Sequence, residues 1–177
     1  MTNDKSDQAG HTDNVINFEE EDSEQFLTFF MAGEEFGVDI LSVQEIRGWE
    51  PITSIPNSPK QVLGVMNLRG TVSPIVDLRH SFGIEELKYN DETVVIIISI
   101  ETETSPKIIG IVVDAVSDVY NFKHSQIQPS PELSQTIQAQ YVKGLGSTDE
   151  KMVILLKLSE QLIADSDVVS GKQLLAG

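Results

Sequence analysis

The side chains able to do chemistry are few and scattered. Three histidines occur: His11 in an acidic N-terminal stretch, His80 after a strand-like run, and His124 in a polar turn. None has a second histidine at metal-ligand spacing, and no His-Glu-x-x-His is present, so they read as ordinary exposed histidines. Asp114 and Asp118 are the one carboxylate pair whose spacing suggests acid–base work. No third group converges on them, and both are expected to face water. Gly144-Leu-Gly146 begins like a phosphate loop but lacks the third glycine and a following Lys-Ser/Thr, which leaves a turn. A Gly-x-Ser-x-Gly elbow is absent. The chain has no cysteine, which removes disulfides, thiolate metal sites and thiol nucleophiles. The residues point away from catalysis, and neither metal nor cofactor is expected.

Charge narrows the class of partner. A formal net charge of −16 over 177 residues repels phosphate backbones and anionic membranes, so proteins rather than nucleic acids are the expected ligands. The longest apolar run, Val94 to Ile98, is strand-length and far below the roughly 18 residues of a membrane span. The polar N-terminus lacks the charged-then-apolar order of a signal peptide, so a cytoplasmic location without membrane insertion is expected. Residues 1–24 are dominated by carboxylates, interrupted only by Val15, Ile16 and Phe18, and read as a disordered acidic tail that aids solubility.

From Phe26 onward, short apolar runs rich in aromatic and β-branched residues imply strands. Phe26–Met31 and Glu35–Ile40 form a hairpin around Ala32-Gly33-Glu34. Leu41–Arg47 reads as one short irregular turn, and Ile52–Ile55 as a brief strand stopped by Pro56 and Pro59. Val62–Leu68 and Thr71–Leu78 follow, the latter with Pro74 inside it, which predicts an edge position or a bulge. In the second half, Thr93–Ile100, Lys107–Val113, Asp118–Phe122 and Lys151–Leu158 are strands. Ser130–Tyr141 is the best helix candidate, and Glu160–Asp165 adds a short helical end.

The halves resemble each other. A shift of 73 lays Gly37 on Gly110, Val43 on Val116, Glu45 on Asp118, Ile46 on Val119 and Pro56 on Pro129. After an insertion, a shift of 80 lays Gly64 on Gly144, Val65 on Leu145, and Val72, Ile75 and Leu78 on Met152, Leu155 and Leu158. Two glycines and a proline matching in order carry backbone constraints, not mere hydrophobicity, and favour a duplication. Each half is about 60 residues, a size at which a lone core is marginal. Two such units packed together would leave a groove at their junction, the preferred place for a ligand.

Four segments carry a more specific signal: Phe36-Gly-Val-Asp-Ile-Leu-Ser-Val-Gln-Glu-Ile-Arg47, Gly64-Val-Met-Asn-Leu-Arg-Gly70, Pro74-Ile-Val-Asp-Leu-Arg79 and Gly110-Ile-Val-Val-Asp-Ala-Val-Ser-Asp-Val119. In that order they resemble the CheW-like family of chemotaxis coupling domains, from about Gln25 to Leu162. The resemblance implies a mainly β fold of two SH3-like five-stranded β-barrels, pseudo-duplicated and packed in tandem, with few short helices. It places the interleaved domain at 25–165 and a C-terminal tail at 166–177. It also implies a non-catalytic adaptor, cytoplasmic and recruited to membrane-associated receptor arrays. Such an adaptor joins the cytoplasmic tip of methyl-accepting receptors to the regulatory domain of the histidine kinase CheA, which shares the fold. Alternatives are a CheW-like scaffold in a non-swimming pathway, or the coupling domain of a CheV-type adaptor; the chain leaves no room for the receiver domain of the latter.

By the same resemblance, receptor contacts fall on Val43, Glu45, Gly64, Arg69, Val94, Val95, Val116, Val119 and Gly144, and a kinase contact on Ile52. Neighbours on a strand point to opposite faces, so Val94 and Val95 cannot both line one surface. A guanidinium is rarely buried without a partner, and Arg69 is expected to pair with Glu45 and brace the groove wall.

Overall fold

A computed structural model describes residues 22–84, 88–129 and 141–158. The predicted helices at 130–141 and 160–165, the bulk of the acidic tail, and the C-terminal tail fall outside those residues, Tyr141 apart.

The described chain is almost entirely strand. In order these are β1 (Ser23–Met31), β2 (Glu34–Asp39), β3 (Val43–Gly48), β4 (Val62–Leu68), β5 (Thr71–Asp77), β6 (Val94–Ile100), β7 (Lys107–Val113), β8 (Ala115–Lys123), β9 (Ile127–Gln128), β10 (Val142–Ser147) and β11 (Met152–Leu156). One four-residue helix, α1 (Leu78–Ser81), follows β5. Ala32 and Gly33 both have positive φ, the two-residue turn whose twist suits a hairpin, so β1 and β2 pair directly.

The strands form two sheets, ordered β8-β1-β2-β11-β10-β9 and β3-β6-β7-β5-β4. Under the repeat the first five strands of one sheet correspond one by one to those of the other. The register agrees residue by residue: Leu155 pairs in parallel with Gly37, and Ile75 with Gly110. Val116 faces Phe29 and Val119 faces Leu27, just as Val43 faces Ile98 and Ile46 faces Ile96. The bridge Thr53–Val65 has as its counterpart the two-residue β9, Gln128 pairing with Leu145.

The halves are interleaved, in keeping with the family resemblance. One sheet takes β1 and β2 from the first half and β8 to β11 from the second; the other takes β3 to β5 from the first and β6 and β7 from the second. The crossings fall at Ile40–Ser42 and at Asp114, where the chain leaves one sheet and enters the other.

Core placement follows from strand alternation. One face of each sheet contributes to a shared core containing Phe29, Phe36, Val38, Ile96, Ile98 and Ile111. The opposite faces enclose smaller cores, Met66, Ile75, Val95, Ile97 and Val112 in one sheet and Phe26, Phe122, Val153 and Leu155 in the other. Each sheet curls until distant strands approach: Arg69 at the β4–β5 turn lies 3.8 Å from Glu45 on β3, and Lys151 donates to the Tyr120 hydroxyl on β8 at 3.2 Å.

Four local readings need correction. Leu41–Arg47 is not one irregular turn but a 3-10 turn, Ile40–Ser42, followed by β3. The brief strand at Ile52–Ile55 reduces to the single Thr53 bridge. Pro74 sits in a strand flanked on both sides, yet at a protected position. Its partner Val65 donates to Thr53 at 2.9 Å, and pairing with β7 starts only at Ile75, so the missing N–H breaks no ladder bond. Ser23 and Glu24 belong to β1, opposite Lys123 and Phe122, so the tail ends two residues earlier than the composition suggests.

Candidate functional site

At the first crossing, the Asp39 carboxylate accepts from the Leu41 N–H at 2.9 Å, and the Ser42 hydroxyl donates to the Asp39 carbonyl at 2.6 Å. This tight turn throws Leu41 outward, where it is 86% exposed. Beneath it lies a groove of about 450 Å³ between the sheets. Leu41, Ile100, Leu156 and Leu158 give it apolar walls, and Asp39, Glu101, Lys143 and Lys157 stand among its lining residues. This groove lies between the sheets rather than between the sequence halves, and none of the contact residues named from the sequence lines it. Leu41 and this concave surface together are the candidate site.

The second crossing is built differently. Asp114, expected in water, accepts from Arg79 Nη1 at 2.5 Å and from the Ala32 N–H at 2.8 Å. Arg79, only 3% exposed, also donates from Nε and Nη2 to the two oxygens of the buried Asp77 at 2.9 and 2.7 Å. Tyr89 donates to Asp77 at 2.9 Å, stacks on Trp49 at 4.4 Å and lies 5.1 Å from the guanidinium carbon. Burial works against the Arg79 charge, but the hydrogen bond and field of Asp77, then the field of Asp114, outweigh it and hold its pKa above the ordinary value. Burial, with the adjacent Asp77 charge, pushes the Tyr89 phenol up to about 12. Asp114 is thus the structural end of a buried ion cluster joining α1 to the β1–β2 turn. Asp118 is exposed, as expected.

The residues singled out from the sequence divide by environment. Val43 and Val116, at matched positions, are half-buried against the shared core. Val94 packs partly on that core, whereas Val95 is fully buried in the smaller one. Val95 therefore offers no surface to a receptor, and that expectation is corrected by strand alternation. Val119 is exposed. Arg69 does pair with Glu45, but at 88% and 38% side-chain exposure the pair is solvent-facing. Ile52 is half-buried against the Met66–Leu68 cluster.

Gly64 and Gly144 share one physical reason. A Cβ at Gly64 would lie 2.1 Å from the Thr53 carbonyl oxygen, and one at Gly144 2.6 Å from that of Gln128. Each glycine lets the crossing segment lie directly on its strand. Sequence reasoning missed Leu41 and the Arg79 cluster. Only the exposed leucine between a strand end and a turn signalled the former, and nothing local signalled the latter. His124 lies 3.1 Å from an Asp22 oxygen and 3.5 Å from one of Glu24, tying the β8 end to the start of β1. No group of His, Cys, Asp and Glu residues able to hold a metal occurs among the described residues. No helix there is long and apolar enough to cross a membrane.

Two curled sheets exchanging strands, a groove between them and a solvent-facing leucine at its lip define a protein-docking scaffold of the SH3-like kind. The CheW-like domain model matches residues 25–166. The chain is 42% identical over 142 residues to the chemotaxis protein CheW of Klebsiella aerogenes, covering 80% of this chain and 83% of that protein. It is 38% identical over 143 residues to a probable CheW of Rhizobium etli, covering 81% and 89%. The crystal structure of the scaffolding protein TtCheW from Thermoanaerobacter tengcongensis superposes with a TM-score of 0.71 at 32% identity, covering 85% of this chain and 92% of that one. The chain belongs to the CheW-like domain family.

Proposed function

We propose that this chain is a non-catalytic chemotaxis adaptor that couples methyl-accepting chemoreceptors to the histidine kinase CheA. The observation that carries the reading is the groove at the first crossing, with Leu41 exposed over an apolar wall. A receptor tip is a helical hairpin, and an amphipathic helix binds by laying its apolar face into such a groove. Val43 follows Ser42 of the groove wall directly, whereas Val116, Val94, Gly64 and Gly144 are not among its lining residues and act on this reading only through packing. Glu45 and Arg69 are the surface contacts on this reading, Val119 belongs instead to the rim described below, and Val95 acts only through packing.

The kinase contact falls elsewhere. Ile46 and Val72 in one sheet, and Val119 and Met152 in the other, are exposed apolar side chains at matched positions of the repeat. Two similar rims suit end-to-end contact with a regulatory domain of the same build. Ile52, held mainly by packing, lies behind the first rim and acts by supporting it.

Co-sedimentation with receptor-containing membranes tests the proposal. Kinase is expected in the pellet only when this protein is present, and Leu41→Asp is expected to release both. Retention of the kinase without the protein, or wild-type coupling by Leu41→Asp, refutes it.

A further inference from the structure

Sulfur is scarce in this chain and unevenly exposed. There is no cysteine, and of the four methionines three lie among the described residues. Met31 and Met66 are buried, whereas Met152 is 61% exposed. Alternation along β11 sets its place: Val153 and Leu155 turn into the smaller core, and Met152 belongs to none of the three cores. The contact of Lys151 with the Tyr120 hydroxyl draws β11 against β8 across the barrel seam. Met152 and Val119, one residue along on each strand, therefore come to the opposite side of that seam, where both are exposed. They form the second of the two apolar rims.

At the matched position of the first rim stands Val72, a plain hydrocarbon. The rims are alike in shape and unlike in chemistry, because only the second carries a group that a mild oxidant changes. A hydroperoxide converts a thioether to a sulfoxide in one step. With hydrogen peroxide, a sulfur lone pair attacks one peroxide oxygen, the O–O bond breaks, and the other oxygen leaves with both protons as water. Sulfur loses two electrons and the peroxide gains them. A dithiol reductase reverses the change: two thiols become a disulfide, and the sulfoxide oxygen leaves as water. The product places a dipolar group where an apolar one stood, at a position on which no core depends.

We propose that Met152 is a reversible oxidation site that switches off the second rim and spares the first, leaving a two-ended adaptor with one working end. The inference rests on the reading of the rims as kinase contacts for its consequence, and not for the site itself. A sulfoxide buried in a contact without a hydrogen-bond donor weakens that contact roughly tenfold. Val72 is untouched by the same oxidant, so the first rim still binds.

The test treats the full chain with dilute hydrogen peroxide and locates the added oxygen by peptide mass spectrometry, which separates position 152 from Met1. Met152 is expected to oxidise roughly tenfold faster than Met31 and Met66, with the urea midpoint unchanged. Binding of the CheA regulatory domain is measured in Val72→Asp, whose first rim is silenced, so that the second rim alone reports. Affinity is expected to fall roughly tenfold on oxidation and to recover with a methionine sulfoxide reductase. Adding Met152→Val, which copies the first rim, should keep the binding and abolish the response to peroxide. Oxidation of Met152 no faster than of the buried methionines overturns the site. A loss of affinity that persists with Met152→Val overturns the switch. Selective oxidation with unchanged affinity overturns the switch if Met152→Asp binds more weakly than its parent. If Met152→Asp binds as its parent does, the same result upholds the site and overturns the kinase assignment of this rim.

Discussion

Replacing Arg79 with alanine isolates the cluster that closes the second crossing. The guanidinium bridges both oxygens of Asp77, binds Asp114 at 2.5 Å and donates to the Lys88 carbonyl at 3.2 Å. Its removal leaves the fully buried Asp77 with Tyr89 and the residue-79 N–H as hydrogen-bond donors and no compensating charge. Removing one partner of a buried ion pair typically costs about 3–5 kcal/mol, because the other charge stays buried. Against a domain stability of about 5–15 kcal/mol, that is a large share. With a urea slope of about 2 kcal/mol/M, the midpoint should fall by roughly 1.5–2.5 M, with the slope unchanged. Arg79→Ala with Asp77→Ala should cost less than the sum of the single changes, since the pair then leaves together. Equilibrium urea unfolding followed by Trp49 fluorescence reads all three variants. A loss below about 1 kcal/mol for Arg79→Ala, the range of an exposed pair, would refute the placement of this cluster in the interior.

Four further outcomes follow from the geometry. Glu45→Ala and Arg69→Ala should each cost no more than about 1 kcal/mol of stability, since the pair is exposed; their effects on receptor binding should be non-additive if the pair braces a contact, and strictly additive losses count against it. Gly64→Ala, which drives a Cβ into the Thr53 carbonyl, should destabilise more than Gly70→Ala in urea unfolding, because Gly70 has positive φ but open space around it. Tyr89 should titrate near pH 12 in an absorbance titration, and Tyr89→Phe should remove that phase. Its pKa is raised on folding, so the stability linked to its protonated form is complete below pH 10 and is lost as pH climbs from 10 toward 12. Deleting residues 1–21 should leave receptor and kinase binding intact in the co-sedimentation assay, whereas deleting through Glu24 removes the first pairs of β1 with β8.

The strands were legible because β-branched and aromatic runs end at glycine, proline and polar loops. The repeat was legible because Gly64 and Gly144 answer to close backbone approach, and Gly37 and Gly110 to side chains packed over them. β3 was misread for a physical reason: Val43, Glu45 and Arg47 are only partly covered while Ile46 faces solvent, so apolar and polar alternate against the usual sense. Asp114 was placed in water because its partner Arg79 lies 35 residues away in sequence. The exchange of strands came from the family resemblance and not from the repeat. A repeat shows which segments are equivalent, and says nothing of which equivalent segment each strand pairs with. At the site, a groove was expected at the junction of two halves, whereas the one found lies between the sheets and none of the contact residues named from the sequence lines it. The turn that exposes Leu41 depends on Asp39 capping a backbone N–H, a contact that apolar patterning does not register.

Because β2 is completed on one flank by β11, its Gly37 waits for Leu155, a partner near the last residues described. During synthesis the first hairpin emerges with that flank bare, whereas the sheet of β3 to β7 has all its strands once Val113 has emerged. Loops spanning so much sequence are slow to close. The nascent chain thus reaches its final form only once β11 has left the ribosome, and a premature stop before Met152 yields no half-working product.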